Sequence, residues 1–412
     1  MLALTDRRLL VLLLAGISSG LPALLVGRCL KAWMTADGLT DTAIGMAGLV
    51  ALPYSLKVLW APVLDRVAPP GGRRRGWLGL CSVALCLALA VMSRGSPAGD
   101  LPSLWVIAAV VAFLSATQDM AVDALRVESL PAEAQPAGAA AGILGYRIAL
   151  ILTGGLGFIL ADRISWPTTY LLLAGVQLVG LLAAFLAREQ AAPPPVTTWT
   201  ASVVEPLRDF LGRQGLLRVV LVLAFAVLYK FGDSLAASLA TPFLLRSGYT
   251  AADLGWAEGT VGLAATCTGI VLGGTILARW SLPVCLAGFG AAMSLSNLAY
   301  AALAQWGGGM AGLMAVLATE HFAAGLAVPC FVAFLSRECN PVFAATQYAL
   351  LSCLMAAGRD GLASLGGVGK EWLHLGWPAY FTLSALAGLP GLLLLIPLRT
   401  PQRSGSTTVP SV

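Results

Sequence analysis

Charged side chains are scarce in this sequence. Only 11% of the 412 residues are Asp, Glu, Lys or Arg, whereas 58% are hydrophobic and the mean hydropathy is +0.84. Because a water-soluble domain has about 25% charged residues, this chain cannot cover a water-facing surface with polar groups. The composition therefore predicts a membrane protein whose outer surface is largely covered by lipid.

Residues that support enzymatic or metal chemistry are also few. The chain has two histidines, and its eight cysteines show none of the spacings typical of metal or redox sites. No acid, base and nucleophile are grouped as a membrane enzyme would need. We therefore expect no enzyme, no metal and no cofactor. The net charge of +5 is attributed to membrane topology and not to nucleic-acid binding.

What the sequence does contain is a series of apolar runs long enough to cross a bilayer. Two groups of six runs flank a polar linker that includes three consecutive prolines. The predicted fold is an all-α membrane protein with about twelve transmembrane helices, divided into a bundle over 1–187, a linker over 188–215 and a second bundle with a short tail over 216–412. The predicted spans are 9–30, 44–62, 77–93, 101–121, 138–160, 167–187, 216–243, 254–278, 282–303, 309–335, 342–366 and 378–398.

Lysine and arginine are unequally divided between the two sides that these spans define. Fifteen lie on the side of the termini and six on the opposite side. Cytoplasmic loops of membrane proteins carry the excess of positive charge. We therefore expect a multi-pass protein of the inner membrane with both termini in the cytoplasm.

The two halves of the sequence also resemble each other. Gly38-Leu39-Thr40 recurs 210 positions later as Gly248-Tyr249-Thr250, and Trp166-Pro167 recurs 211 positions later as Trp377-Pro378. Both pairs occupy the same place relative to the predicted spans. This predicts a six-plus-six duplication, which is common among transporters.

The loop after the second span contains Asp65-Arg66 followed by Arg73-Arg74-Arg75. This pattern resembles the loop signature of the major facilitator superfamily, in which an acidic residue and arginines pair across helix ends. Such pairs hold one closed state and break when the halves rock apart. We therefore predict a gating role for Asp65, Arg66 and Arg73. The alternative is a topology anchor that only follows the positive-inside rule.

Longer stretches resemble the AmpG-type muropeptide permeases and occur in order across both halves. They include Gly20-Leu21-Pro22, Lys31-Ala32-Trp33-Met34-Thr35, Tyr54-Ser55-Leu56-Lys57, Ser115-Ala116-Thr117-Gln118-Asp119, Gly145-Tyr146-Arg147, Leu228-Tyr229-Lys230 and Ala345-Thr346-Gln347-Tyr348. The resemblance implies a proton-driven permease that imports anhydromuramyl sugar-peptides for cell-wall recycling. Related carriers of iron-siderophore complexes or acetyl-coenzyme A share this architecture and are the alternative. Glu320-His321 departs from the Glu-Asn motif associated with AmpG.

Ionisable residues inside the predicted spans are candidates for function, because each costs about 2.5–3.5 kcal/mol to insert. Asp119 and Asp123 are four residues apart and therefore share one helix face. We predict that they couple transport to protons, with Glu320 as a further proton carrier or hydrogen-bonding residue. Alternatively, Asp123 belongs with Arg126 to a solvated loop. His321 is left out of the predicted site.

The remaining polar residues inside the spans are assigned to the solute or to gating. Arg147 is a candidate for binding an anion or for pairing with Asp119, and Lys230 for binding the solute or pairing with Asp233 three residues away. Arg359 and Asp360 are predicted to form a gate pair. The predicted solute-binding residues are Lys57, Gln118, Arg147, Lys230 and Gln347.

Three classes of function compete for this pattern. A proton-coupled importer of sugar-peptides, working as a monomer in the bilayer, explains charges on many helices. A membrane enzyme would need a clustered catalytic set that the sequence lacks. For a receptor or scaffold that transports nothing, the buried charges would be only a cost.

Overall fold

The computed structural model describes residues 7–130, 135–188, 204–340 and 344–398, and within these ranges the chain is helical without any β-strand. Ten helices in the described ranges are long and apolar enough to cross a membrane. We number them by their order among twelve. They are helices 1 (Arg7–Ala36), 3 (Arg73–Met92), 4 (Leu101–Arg126), 5 (Ala141–Arg163), 6 (Trp166–Leu186), 7 (Leu216–Arg246), 8 (Ala251–Leu277), 9 (Leu282–Trp306), 10 (Gly309–Leu335) and 12 (Trp377–Leu398).

Helices 2 and 11 differ from the other ten. Helix 2 is a series of short helical segments over residues 41–66, in which 3-10 turns at Ala47–Ala51 and Lys57–Leu59 interrupt the α-helix. Pro53 lies at the start of one segment and lacks the N–H that a continuous helix would use. Helix 11 (Ala344–Ser364) is continuous but more polar than the others.

The sequence repeat corresponds to repeated local structure. Thr40 and Thr250 each cap the helix that follows, accepting backbone hydrogen bonds from Ala43 and Asp253 respectively. The Tyr170 hydroxyl donates to the Leu25 carbonyl at 2.7 Å. In the second half, the hydroxyl of Tyr380 donates to the carbonyl of Leu235 at 2.6 Å. Donors and acceptors are both 210 positions apart, in agreement with the duplication expected from the sequence.

Alternation of the helices defines two faces of the molecule. We call the face where helix 1 begins the terminal face. There, Arg7 at the start of helix 1 donates to the carbonyl of Leu186 at the end of helix 6. The opposite face, which we call the far face, contains the turns at 37–40 and 247–250 and the segment 365–376, which includes the short helix Gly366–Trp372.

Glycines let the two halves touch backbone to backbone towards the far face. A Cβ atom added to Gly367 would lie 1.9 Å from the Asp41 carbonyl oxygen, and one added to Gly255 would lie 2.6 Å from the carbonyl oxygen of Gly155. All hydrogen bonds and ion pairs between described residues of different halves involve residues in the far-face portion of helices 1, 2, 7 and 8 or the adjacent turns. The conformation is therefore closed at the far face.

Adding one methyl group at Gly367 tests this closure. Overpacking costs about 1–3 kcal/mol, so in the Gly367→Ala protein we expect the closed state to lose about tenfold in population relative to the open one. Distances between spin labels at Asp37 and Ser247, one in each half, should lengthen. Gly369→Ala is the matched control, because a Cβ there meets nothing within 4 Å. Equal distances in both variants would contradict the role of this contact.

Candidate functional site

Four ionisable residues connect the two halves inside the membrane-spanning part. An Arg28 nitrogen on helix 1 lies 2.8 Å from one carboxylate oxygen of Glu258 on helix 8. The other Glu258 oxygen lies 2.8 Å from His321 Nε2 on helix 10. A Glu320 oxygen is 3.7 Å from the same histidine nitrogen. We call Arg28, Glu258, His321 and Glu320 the bridge cluster, because its Arg28–Glu258 contact joins the halves.

A cavity of about 140 Å³ adjoins the bridge cluster between helices 1, 5, 8 and 10. Arg147 from helix 5 lines it together with Arg28, Glu258 and His321. Arg147 makes no hydrogen bond or ion pair with any residue in the described part of the chain. The other residues that line the cavity are Leu24, Leu150, Ile151, Gly154, Gly259, Gly262, Leu263 and Thr266.

A second group of polar residues lies within the first half. Lys57 Nζ on helix 2 is 3.8 Å from an Asp119 oxygen on helix 4, and the Ser19 hydroxyl on helix 1 donates to the other Asp119 oxygen. We call these three residues the lysine cluster. A cavity of about 230 Å³ adjoins Ser19 and Asp119. An aspartate inside a bilayer is costly to keep ionised, and the hydroxyl and ammonium groups reduce that cost.

The far face is fastened by a set of contacts that we call the far-face latch. Asp41, at the start of helix 2, pairs with Arg246 at the end of helix 7 and with Lys370 at 2.7 Å. The backbone N–H of the adjacent Thr42 donates to Glu371 at 2.9 Å. Asp41 belongs to the first half and its basic partners to the second, so every one of these contacts resists separation of the halves at this face.

The terminal face has charge contacts within each half. In the first half Arg73 and Arg74 lie 3.2 and 2.8 Å from the same Glu128 oxygen. In the second half Arg218 lies 3.3 Å from Glu338. The Arg73–Glu128 and Arg74–Glu128 pairs tie the start of helix 3 to the end of helix 4. They do not join one half to the other.

A family model and a curated relative both match most of this chain. The Major Facilitator Superfamily model matches residues 9–359. The chain is 40% identical over 393 residues to the anhydromuropeptide permease of Escherichia coli K12, with 94% of this chain and 79% of that protein covered. It belongs to the AmpG-type permeases of the Major Facilitator Superfamily.

A further relative agrees with this assignment, and a solved structure shows the same fold. A Rickettsia conorii protein named as transporter AmpG 4 is 31% identical over 407 residues, with 96% of this chain and 97% of that protein covered. The nucleoside transporter NupG superposes with a TM-score of 0.69 at 12% identity, covering 97% of this chain and all of that one. The AmpG-type chain is thus a multi-pass membrane transporter and not an enzyme.

The three residues that are predicted to couple transport to protons lie in three different places in this AmpG-type permease: the lysine cluster, a solvated helix end and the bridge cluster. Asp119 is in the lysine cluster, so its close cationic partner is Lys57 and not Arg147. Asp123 has a side chain that is 64% exposed and lies 3.4 Å from Arg126. That position agrees with the alternative in which Asp123 belongs to a solvated helix end. Glu320 is in the bridge cluster, together with His321, which is not one of the predicted site residues.

The predicted glutamines do not face the space between the halves. Gln118 is fully buried in the first bundle, where its amide donates to the hydroxyls of Ser18 and Ser82 and accepts from Gln177. Gln347 is buried at the terminal face, and its amide donates to Asp209 of the linker helix Glu205–Gln214 at 2.8 Å. Both amides hold helices together in this conformation.

The remaining predicted residues divide as follows. Arg359 contacts the adjacent Asp360 at 2.7 Å, and the gating role of this pair stays a prediction. Lys230 and Asp233 form no ion pair with each other within the described part of the chain. Arg73 is paired with Glu128, whereas the side chains of Asp65 and Arg66 lie outside the described ones. The gating role of Asp65, Arg66 and Arg73 stays a prediction.

Sequence reasoning missed the partners that join the halves. Neither Arg28 nor Glu258 is among the predicted site residues, although they lie within the predicted spans 9–30 and 254–278. The signal for both was an ionisable residue inside an apolar run. Asp41 directly follows the repeated Gly-X-Thr motif, which marks it as the first residue of a capped helix.

The latch gives a pH-dependent prediction, because Glu371 lies outside the membrane-spanning helices. Partial burial acts to raise its pKa, but hydrogen bonds from Thr42 and the charge of Lys370 outweigh this and hold its pKa below the ordinary 4.5. A carboxylate with a lowered pKa stabilises the closed state above its ordinary pKa, and that stabilisation is lost as the pH falls through the lowered value.

We therefore expect spin-label distances between Asp37 and Ser247 to lengthen when the far face is acidified below about pH 4.5. Glu371→Gln should show a smaller closed population at neutral pH and less change on acidification, since Gln cannot titrate. Asp162→Asn, an exposed carboxylate change on the same face, should behave as wild type. A Glu371→Gln protein with the full wild-type pH response would show that another group titrates.

Proposed function

We propose that this permease carries anhydromuramyl sugar-peptides across the inner membrane into the cytoplasm. The observation that carries the proposal is the 40% identity to the anhydromuropeptide permease of Escherichia coli over 94% of this chain. The match extends through both halves of the chain, and a solute held between the halves needs both of them.

The charges of the structure fit an anionic solute. Arg28 and Arg147 line the cavity beside the bridge cluster, and Lys57 lies in the lysine cluster. Lys31 donates to the carbonyl of Ser238 across the two halves at 2.9 Å. Cations at bilayer depth are costly unless they meet negative charge. The carboxylates of a sugar-peptide would supply it.

Transport would proceed by alternating access, with the far face on the periplasmic side. In the closed conformation the latch blocks the periplasm, and rocking of the halves would break it and admit the solute. Both halves are contained in one chain, so a monomer suffices in this proposal.

The proposed sidedness is tested by reporter fusions after Gln190 and at the C-terminus. Both should give cytoplasmic signals, because the excess of arginine lies on the side of the termini. A fusion in the turn after Arg94 on the far face is the control and should read periplasmic. A periplasmic signal after Gln190 would contradict the proposed arrangement of six spans on each side of the linker.

Proton coupling is proposed to act through Asp119. While Asp119 is ionised, it holds Lys57; once it is protonated, Lys57 becomes available to a negative group of the solute. Proton binding and solute binding would then favour each other, which a symporter requires. The sequence alone proposed Arg147 as this partner, and the 3.8 Å contact favours Lys57.

The function is tested by uptake of radiolabelled anhydromuramyl tripeptide into vesicles that contain the full chain. We expect accumulation when an inward proton gradient is imposed, and only equilibration after the gradient is collapsed. An iron-siderophore complex and acetyl-coenzyme A should not compete. Accumulation of either of these in place of the sugar-peptide would refute the proposed solute.

Asp119→Asn tests the coupling. This variant should abolish accumulation but keep binding and exchange, since Asn retains the shape and cannot release a proton. Asp162→Asn, exposed at the far end of helix 5, serves as the matched control and should accumulate normally. Normal accumulation by Asp119→Asn would exclude this residue, and Glu320→Gln would then be the next variant to measure.

A further inference from the structure

Three of the long helices contain a π-helical turn, and all three turns border the same cavity. The turns are Leu25–Cys29 in helix 1, Ile151–Leu156 in helix 5 and Glu258–Gly262 in helix 8. A π turn is rare, and such turns are frequently found at functional sites. Each turn contributes residues to the lining of the 140 Å³ cavity beside the bridge cluster, including Arg28, Gly154 and Glu258.

The charged groups that line this cavity are not balanced. Two guanidinium groups, those of Arg28 and Arg147, meet only one carboxylate, that of Glu258. Glu258 uses one oxygen for Arg28 and the other for His321. Arg147 therefore faces the cavity without a hydrogen bond or ion pair from the residues that the structure describes.

The cavity has the chemistry to hold a further carboxylate. Guanidinium groups present paired N–H donors that match the two oxygens of a carboxylate, and such contacts are among the stronger hydrogen bonds in proteins. Leu24, Leu150 and Leu263 provide an apolar wall beside the two arginines. The volume suits one small carboxylate-bearing unit and not a whole sugar-peptide.

We propose that this cavity is the binding site for a carboxylate of the carried solute, which displaces Glu258 from Arg28 and is held by Arg28 and Arg147 together. The proposal rests on the proposed function, because the carboxylate is that of the peptide part of the solute. In the proposed exchange Glu258 gives up its contact with Arg28 to the carboxylate of the solute and keeps its contact with His321.

This exchange would change the connection between the halves. Arg28 and Arg147 belong to the first half, whereas Glu258 and His321 belong to the second. In the conformation that the structure shows, the Arg28–Glu258 pair joins the halves. When the solute takes over Arg28, that pair is broken, and the solute becomes the group that contacts both sides of the cavity.

The test is equilibrium binding to the purified full chain. The probes are anhydromuramyl tripeptide and the same compound with its carboxylates amidated. In the wild-type protein, amidation should weaken binding by about tenfold or more, as expected for loss of a hydrogen-bonded charge pair. Arg147→Gln should weaken binding of the free acid and remove most of the difference between the two probes. Arg147→Lys should restore part of the binding of the free acid and part of the difference between the two probes.

Glu258→Gln separates this role from a purely structural one. Because the neutral amide competes less well for Arg28, we expect the free acid to bind several-fold more tightly, while the amidated probe changes little. Arg163→Gln, at the exposed end of helix 5, is the matched control and should keep the full effect of amidation. Thermal unfolding of each variant identifies any protein that has failed to fold.

A second probe separates failure of the site from failure of the proposed function. Alanyl-glutamate and its amide carry the carboxylate without the sugar. If only the dipeptide binds, with a carboxylate preference that Arg147→Gln removes, the site is supported and the proposed solute is rejected. If the sugar-peptide binds but amidation matters equally in wild type and Arg147→Gln, the site is rejected and the function stands. Binding of neither probe overturns both.

Discussion

The ion pair between Arg28 and Glu258 is the constraint around which the interior of this permease is arranged. It joins helix 1 to helix 8 within the membrane-spanning part, where 35% of the Arg28 side chain and 15% of the Glu258 side chain are exposed. Removing one partner would leave the other charge at bilayer depth without its counter-charge, and an ionised residue there costs about 2.5–3.5 kcal/mol. The groups around the pair are arranged so that both charges keep their partners. His321 satisfies the second oxygen of Glu258, and the π turns of helices 1 and 8 contain the two charged residues themselves.

The cross-half contacts act together with packing that only glycine permits. Gly45 and Gly367 allow helix 2 to meet the short helix Gly366–Trp372 that follows helix 11, and Gly255 allows helix 8 to meet helix 5. Ion pairs such as Asp41–Lys370 are then brought within hydrogen-bonding distance. The Lys370 and Asp41 side chains are only 13% and 5% exposed, so the pair forms in space that the close backbone approach encloses, and the latch depends on that approach. A carrier needs a closed state that is stable but reversible, and several modest contacts provide that better than one large apolar interface.

The sequence predicts much of the fold and less of the site, for physical reasons. Apolar length identifies most spans, and the Gly-X-Thr and Trp-Pro repeats mark equivalent helix starts, because capping and proline act locally. Contacts between distant helices have no such local signal. Lys57 has no acidic neighbour within one turn of its own helix, yet in the folded protein this helix 2 residue contacts Asp119 of helix 4. Gln118 is predicted from the sequence to bind the solute, but the rotation of helix 4 turns its side chain into the bundle interior. Helical periodicity gives the relative direction of side chains on one helix but not which neighbour each face meets.

In the proposed mechanism the lysine cluster responds to protons, whereas the bridge cluster responds to the separation of the halves. Lys57 and Asp119 both belong to the first half, so their contact is unaffected when the halves rock as rigid bodies. It can therefore respond to a proton in either conformation. The Arg28–Glu258 pair joins the halves and must change whenever they separate. A ligand alters a conformational equilibrium only through a difference in its interaction with the two states. A solute group that acts on Arg28 meets this requirement directly, whereas a proton at Asp119 meets it only through the solute that Lys57 then helps to hold. Energy coupling would accordingly arise from one solute bound to both clusters, without a direct contact between the clusters.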